Sequence, residues 1–245
     1  MRDPPRGQAD TAHALAPTRV NWRDYRILLR TPSYVYCTLG MAAMTFAIGG
    51  MQLWMPYYLG TYRHVPEDPA TVFGAILAGT GLGATLLGGI VGDKLRPRFP
   101  GSYFLVSSVA MLLGFPLFLL ALKAPLPWLW VCIALACFCL FFNTGPTNTI
   151  LANVTHPSMR AAGFALCIFV IHALGDVISP VIIGIVSDKY DMDRAFLVVG
   201  VMFLVSAGFW LCGIRHLGRD TVLAPTRLNV PPKPPSPAPA VADRE

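Results

Sequence analysis

Asp176 is a carboxylate in a stretch where carboxylates are costly. Residues 161–187 read AAGFALCIFVIHALGDVISPVIIGIVS, and Asp176 is the one acid among them. A charged group at the centre of a bilayer costs about 3 kcal/mol on insertion scales, and such groups face a cavity or a partner. His172 lies four residues earlier, so on a helix the imidazole and the carboxylate project from one face and can share a hydrogen bond or a proton. Two readings stand side by side. One is a protonation-linked pair that couples or gates a conformational change, the other a polar clasp that pins the helix to its neighbour. Gly175 and Pro180 flank the pair, and Pro180 removes a backbone donor and crowds the preceding turn, which predicts a bend serving as a gating hinge or as a fixed kink.

A second polar set is Asn143-Thr144-Gly145-Pro146-Thr147-Asn148, again inside an apolar run. Asn143 with Thr147, and Thr144 with Asn148, are four apart, so the spacing predicts a polar helix face that lines a cavity or bonds across to another helix. Gln52 and Trp54 add hydrogen-bonding groups near the end of an earlier apolar run and are read with the cavity.

These residues need elements that cross a membrane. The chain of 245 residues is 54% apolar and 13% charged, well below the roughly one quarter charged of soluble domains. Six segments, 34–59, 71–91, 102–122, 127–151, 161–187 and 194–214, each supply the ~20 apolar residues that span a hydrocarbon core. Fifteen of the nineteen Lys and Arg residues fall in the leader, the even-numbered connections and the tail, leaving Arg63, Lys123, Lys189 and Arg194 on the other side. Cytoplasmic loops hold such an excess, so both termini are expected in the cytoplasm of a plasma (inner) membrane protein. The basic balance is this topological signal, and nucleic acid is not among the expected partners.

The first thirty residues have no apolar signal-peptide core, and WRDYRILLR at 22–30 reads as an interfacial helix or a solvated charge run. PPKPPSPAPA at 231–240 reads as a flexible tail. Cys37, Cys132, Cys137, Cys139, Cys167 and Cys212 all lie in apolar runs without ligand spacing, so no metal site is expected. No nucleotide loop and no nucleophile–base constellation is present, so neither a cofactor nor an enzymatic activity is expected.

The second and fifth segments end alike: GGIVGDK at 88–94 and IGIVSDK at 183–189, ninety-five positions apart. By the charge count the two copies face opposite sides, the mark of inverted three-helix repeats in secondary transporters. Gly79 with Gly83, and Ala84 with Gly88 and Gly92, form a stripe of small residues that is expected to face another helix. Asp93 can meet a neighbouring helix N-terminus or an arginine such as Arg96 in one conformation and release it in another.

Gly89-x-x-x-Asp93-Lys94 followed by Arg96 and Arg98 resembles the loop motif of the major facilitator superfamily, with Arg96 where that motif has a later glycine. LLRTPSYV at 28–35 and HALGDVISPVIIGIVSDK at 172–189 resemble the spinster-like branch. The resemblance implies an all-α membrane protein of six transmembrane helices in two inverted repeats, half of a twelve-helix fold and matching its C-terminal half. It also implies transport of an amphipathic or organic-anion solute, lysolipid-like in that branch, by alternating access, with the first helix of each repeat lining the cavity. Residues 1–33 would be a leader like the loop joining the halves, 34–214 the half-domain and 215–245 the tail. The expected partners are the bilayer, a small solute, and a missing N-terminal half or second chain. A truncated product and a genuine half-size chain are both open, the latter including a non-transporting assembly subunit.

Overall fold

The computed structural model describes residues 22–228. They form nine α-helices: α1 (Trp22–Leu29), α2 (Pro32–Thr61), α3 (Pro69–Leu95), α4 (Ser102–Lys123), α5 (Trp128–Phe142), α6 (Thr144–Val154), α7 (Arg160–Ile171), α8 (Ser179–Lys189) and α9 (Met192–Leu223). They make six spans, because α5 with α6 and α7 with α8 are broken single crossings, Trp128–Val154 and Pro157–Lys189. The ends are set by local chemistry. Pro32 and Pro69 occupy first-turn positions where no N–H is needed. The carboxylates of Asp68 and Asp191 cap α3 and α9, accepting from Thr71 N at 3.1 Å and Arg194 N at 2.6 Å.

The helices pack as two inverted repeats. Span one, α2, lies along α9 as the fourth span lies along α4; α3 rests on α5 and α6 as the broken fifth span rests on α2; α4 and α9 meet across the pseudo-twofold. The repeated sequence ends therefore occupy equivalent places, which makes this an all-α membrane fold of six crossings in two three-helix units. A ladder of aromatic rings fills the α4–α9 seam, with Phe118 stacked on Phe203 at 5.5 Å and edge-on to Phe196 at 6.1 Å.

One side of the bundle is left open. Only 11% of the apolar window of α3 and 22% of that of the fifth span are buried, against 72% for α2. The small-residue stripe on α3 divides accordingly. Ala84, Gly88 and Gly92 are buried against α5, Phe142 and Tyr103, whereas a side chain at Gly79 or Gly83 would meet nothing within 4 Å. Gly79 and Gly83 thus meet no other helix among the described residues: at 3.6 residues per turn they lie on roughly the opposite face of α3 from Ala84, Gly88 and Gly92.

The last span does not end at 214. It continues as helix to Leu223 because Gly213, Leu217, Asp220 and Ala224 form one buried stripe that packs beside the start of α2. The tail boundary expected at 215 is thereby moved. At the other end of the sequence α1 inserts Leu28 into the core. Residues 1–21 and 229–245, including the proline-rich run, lie outside the described residues.

Candidate functional site: a broken helix with a histidine–aspartate pair

Between α7 and α8 the chain widens into a π-helical turn over His172–Asp176. Val177 N donates to His172 O at 3.2 Å, five residues back, and Ile178 N to Gly175 O at 3.2 Å. Pro180 is the sequence cause. It cannot donate to the carbonyl of Asp176, so the ladder is interrupted there and α8 restarts with Pro180 in its first turn. Gly175 and Gly49 are the packing cause. A Cβ on Gly49 would lie 2.5 Å from Asp176 Cβ, and one on Gly175 would lie 2.9 Å from Thr45 Cβ and 3.0 Å from Ala42 O. The two backbones approach so closely that only glycine fits on either side. Trp54 Nε1 donates to Pro180 O at 3.0 Å and fastens α2 to the start of α8.

His172 Nδ1 lies 2.9 Å from Asp176 Oδ2 and 3.1 Å from Oδ1. The side chains are 56% and 37% exposed, so the pair is turned away from the interior of the six-helix bundle. Polar groups of this kind inside a membrane usually face a cavity or a partner rather than lipid. Thr45, Ile48 and Gln52 follow one another along the adjoining stripe of α2; Thr45 and Ile48 are half-buried and Gln52 is exposed.

The other expected residues divide. Asp93 accepts a hydrogen bond from Tyr103 Oη at 2.8 Å, in the first turn of α4, and the Arg96 guanidinium sits 5.4 Å from the centre of the Tyr103 ring. Asp93 and Arg96 are thus joined through one tyrosine, without a direct ion pair. Asn143 and Thr147, expected on a polar face, are fully buried within the bundle. Asn143 Nδ2 donates to Leu140 O at 2.5 Å, Thr147 Oγ1 donates to Asn143 O at 2.9 Å, and Cys37 Sγ reaches Thr147 O at 3.6 Å. The helix breaks at Asn143, which turns this pair into the bundle and leaves Thr144 half-buried and Asn148 exposed.

Sequence reasoning missed the most buried acid. Asp220, 3% exposed, accepts from Ser33 N at 2.9 Å and pairs with Arg227 Nη2 at 2.5 Å, while Arg227 Nη1 bonds Thr31 Oγ1. The four-and-three spacing of Gly213, Leu217, Asp220 and Ala224 was the signal available for it.

Six crossings in two inverted repeats, broken in the fourth and the fifth, make the fold, and comparison with known proteins gives the family. The chain belongs to the Major Facilitator Superfamily, whose family model matches residues 1–175. Within it the chain is spinster-like. It is 34% identical over 202 residues to protein spinster homolog 3 of Danio rerio, covering 76% of this chain and 41% of that protein. It is 30% identical over 228 residues to the sphingosine-1-phosphate transporter SPNS2 of Danio rerio, covering 86% and 45%. Human spinster homolog 3 is 30% identical over 253 residues, covering 91% and 49%. The chain thus spans somewhat under half the length of these relatives. Among solved structures, a bacterial homolog of the human lysosomal transporter Spinster, inward-facing and unoccupied, matches with a TM-score of 0.67 over 90% of this chain and 55% of its own. At 19% identity that match speaks for the fold alone.

Proposed function

We propose that this chain forms the C-terminal six-helix half of an alternating-access secondary transporter, acting with a second six-helix unit that covers the open side of α3 and α7–α8. The solute is amphipathic and lysolipid-like, in keeping with relatives named as sphingosine-1-phosphate transporters. His172 and Asp176 couple protonation to the conformational change, with Gly175 and Pro180 as the hinge and the Asp93–Tyr103–Arg96 link as a latch at one membrane face. Gln52, Trp54, Thr144 and Asn148 border the solute path.

One observation carries the reading. By the offset between the repeated ends, Asp176 and His172 correspond to Gly81 and Leu77 of α3, which is an unbroken α-helix. The equivalent place in the first repeat is a regular helix without a carboxylate, so the repeat fold does not itself require the π-turn or its pair. π-Turns gather at functional sites, and protonatable groups inside a membrane mark solute and proton paths.

Transport of a fluorescent lysolipid, in proteoliposomes holding the chain with its complementary half, tests this. Asp176→Asn is expected to leave the amount of folded protein unchanged and to slow transport about tenfold or more, equivalent to about 1.4 kcal/mol on the barrier. His172→Gln is expected to shift the pH profile of the same activity. An Asn variant with wild-type rate and pH profile would leave the pair a structural clasp.

Orientation follows the charges: both termini are cytoplasmic, in the plasma (inner) membrane. Single cysteines at Glu67 or Asp191 are then expected to react with an impermeant external reagent, and cysteines at Arg96 or Pro157 to be protected. Labelling at Arg96 from outside would reverse the topology.

A further inference from the structure

Between Arg194 and Arg215 the last span, α9, carries no charged residue. The twenty residues from 195 to 214 cover about 30 Å, the thickness of a hydrocarbon core. Arg215 therefore stands at the level of the phosphates of one leaflet, and Arg219 follows one turn further out, about 6 Å along the axis. The inner face of α9 is held by Phe203, stacked on Phe118 of α4, and by Trp210, whose Nε1 donates to Cys37 O of α2 at 3.3 Å. On the face turned away from them, Val201, Leu204, Gly208, Leu211, Arg215 and Arg219 recur at steps of three and four. Every side chain in that stripe is exposed, and Gly208 has none.

A Cβ on Gly208 would meet nothing within 4 Å, so the glycine leaves a notch between Leu204 and Leu211 that opens toward lipid. The two arginines follow it at the headgroup end. Among the described residues neither is in an ion pair. Arg215 Nε donates to His216 Nε2 at 3.1 Å, and the His216 ring stacks on Tyr36 at 5.8 Å. That contact holds the guanidinium and leaves its four Nη–H donors free for an outside acceptor. Asp93 and Asp220, the acids at this end of α3 and α9, are already engaged. Asp93 accepts from Tyr103 Oη, and Asp220, although next in sequence to Arg219, is enclosed with Ser33 N and Arg227.

We propose that α9 holds an anionic diacyl phospholipid of the bilayer, with one acyl chain in the notch at Gly208 and the phosphate shared by Arg215 and Arg219. Guanidinium forks bind phosphate oxygens in pairs, and basic groups at the membrane edge draw anionic lipid. A zwitterionic lipid brings its own ammonium to the same place and forfeits most of that attraction. A soluble phosphate has no chain for the notch. A second copy of this chain, docked by a twofold axis along the stripe, would set Arg215 and Arg219 against their own counterparts, and like charges disfavour such a seam.

Native mass spectrometry of the full chain, released from maltoside micelles holding dioleoyl phosphatidylglycerol and dioleoyl phosphatidylcholine in equal amounts, tests this. One phosphatidylglycerol is expected to stay bound in at least about tenfold excess over phosphatidylcholine. The double substitution Arg215→Gln with Arg219→Gln should cut that excess to about twofold or less, and Lys94→Gln, which removes an exposed cation away from the stripe, should keep it. Gly208→Leu should weaken retention about threefold or more by filling the notch. Its thermal midpoint without lipid should equal that of the wild type, because the new side chain starts in open space. Equal retention of the two lipids would overturn the proposal, as would an excess that survives the double substitution or falls equally with Lys94→Gln. Undiminished retention by Gly208→Leu, or displacement by glycerol phosphate at the same concentration, would also overturn it. So would a dimer that Gly208→Leu dissolves, since a second copy would then be what covers the stripe.

Discussion

Gly88→Leu is expected to abolish the folded bundle, while Gly83→Leu, one and a half turns earlier on the same helix, leaves its stability at the wild-type level. A Cβ at Gly88 would sit 1.8 Å from the carbonyl oxygen of Phe142. That atom is backbone, so no rotamer change relieves the clash and α5 would have to move away from α3. Overpacking a core usually costs about 1–3 kcal/mol when side chains can give; here the helix contact itself is lost. In lipid such contact supplies much of the association, since there is little hydrophobic drive between helices. Gly145 is the other side of the same junction, where a Cβ would come 2.8 Å from Thr85 O, and Gly145→Leu belongs with Gly88→Leu. The fraction of each variant that elutes as a monodisperse species in detergent, with its thermal midpoint, measures this. Matching profiles for Gly83→Leu and Gly88→Leu would show that α3 does not seat on α5 through this stripe.

The contrast between those two glycines also shows how far the sequence could be read. Hydropathy located all six crossings, because the requirement for ~20 apolar residues acts locally. The repeated Asp-Lys ends exposed the inverted repeat for a similar reason, both copies serving the same turn. Direction of a helix face is not local. Four-residue spacing grouped Asn143 with Thr147 and Thr144 with Asn148 correctly as stripes, yet spacing cannot say which stripe meets protein. The break at Asn143 turned one inward, where its donors are met by carbonyls of its own helix. Likewise Pro180 announced a bend, but the π-turn depends on Gly49 admitting the backbone of Asp176, a contact across 127 positions of sequence.

His172 and Asp176 were legible as a pair because both lie on one turn of one helix. Asp220 was not, because its partners Ser33 and Arg227 come from the leader side of α2 and from beyond the last helix. A window that stops where hydropathy falls assigns such a residue to the tail. Burial inverts the ranking of the two acids: the carboxylate that stood out in the apolar run is half-open, and the one dismissed with the tail is enclosed.

That inversion predicts opposite consequences for removing them. Asp220→Ala is expected to destabilise the chain by about 3–5 kcal/mol, the range found when one partner of a buried pair is removed and the other is left enclosed. Three losses combine there. Arg227, whose side chain is 16% exposed, keeps its charge without its carboxylate. The Ser33 N–H at the start of α2 loses its acceptor, a cap worth about 1 kcal/mol by itself. Finally, the end of α9 and the start of α2 lose the polar link that holds them together. Asp220→Asn should fall between wild type and alanine, since an amide oxygen can still accept from Ser33 but offers no charge to Arg227. Asp176→Ala, by contrast, removes a pair exposed on both sides, for which about 0–1 kcal/mol is the ordinary range. Unfolding in mixed micelles of increasing dodecyl sulfate fraction would give the differences directly, and a cycle with Arg227→Gln isolates the pair. A cycle with no coupling between Asp220 and Arg227 would remove the ion pair from the account and leave only the helix cap. If instead Asp176→Ala unfolds as readily as Asp220→Ala, the open pair is carrying the fold and cannot be free to change state during transport.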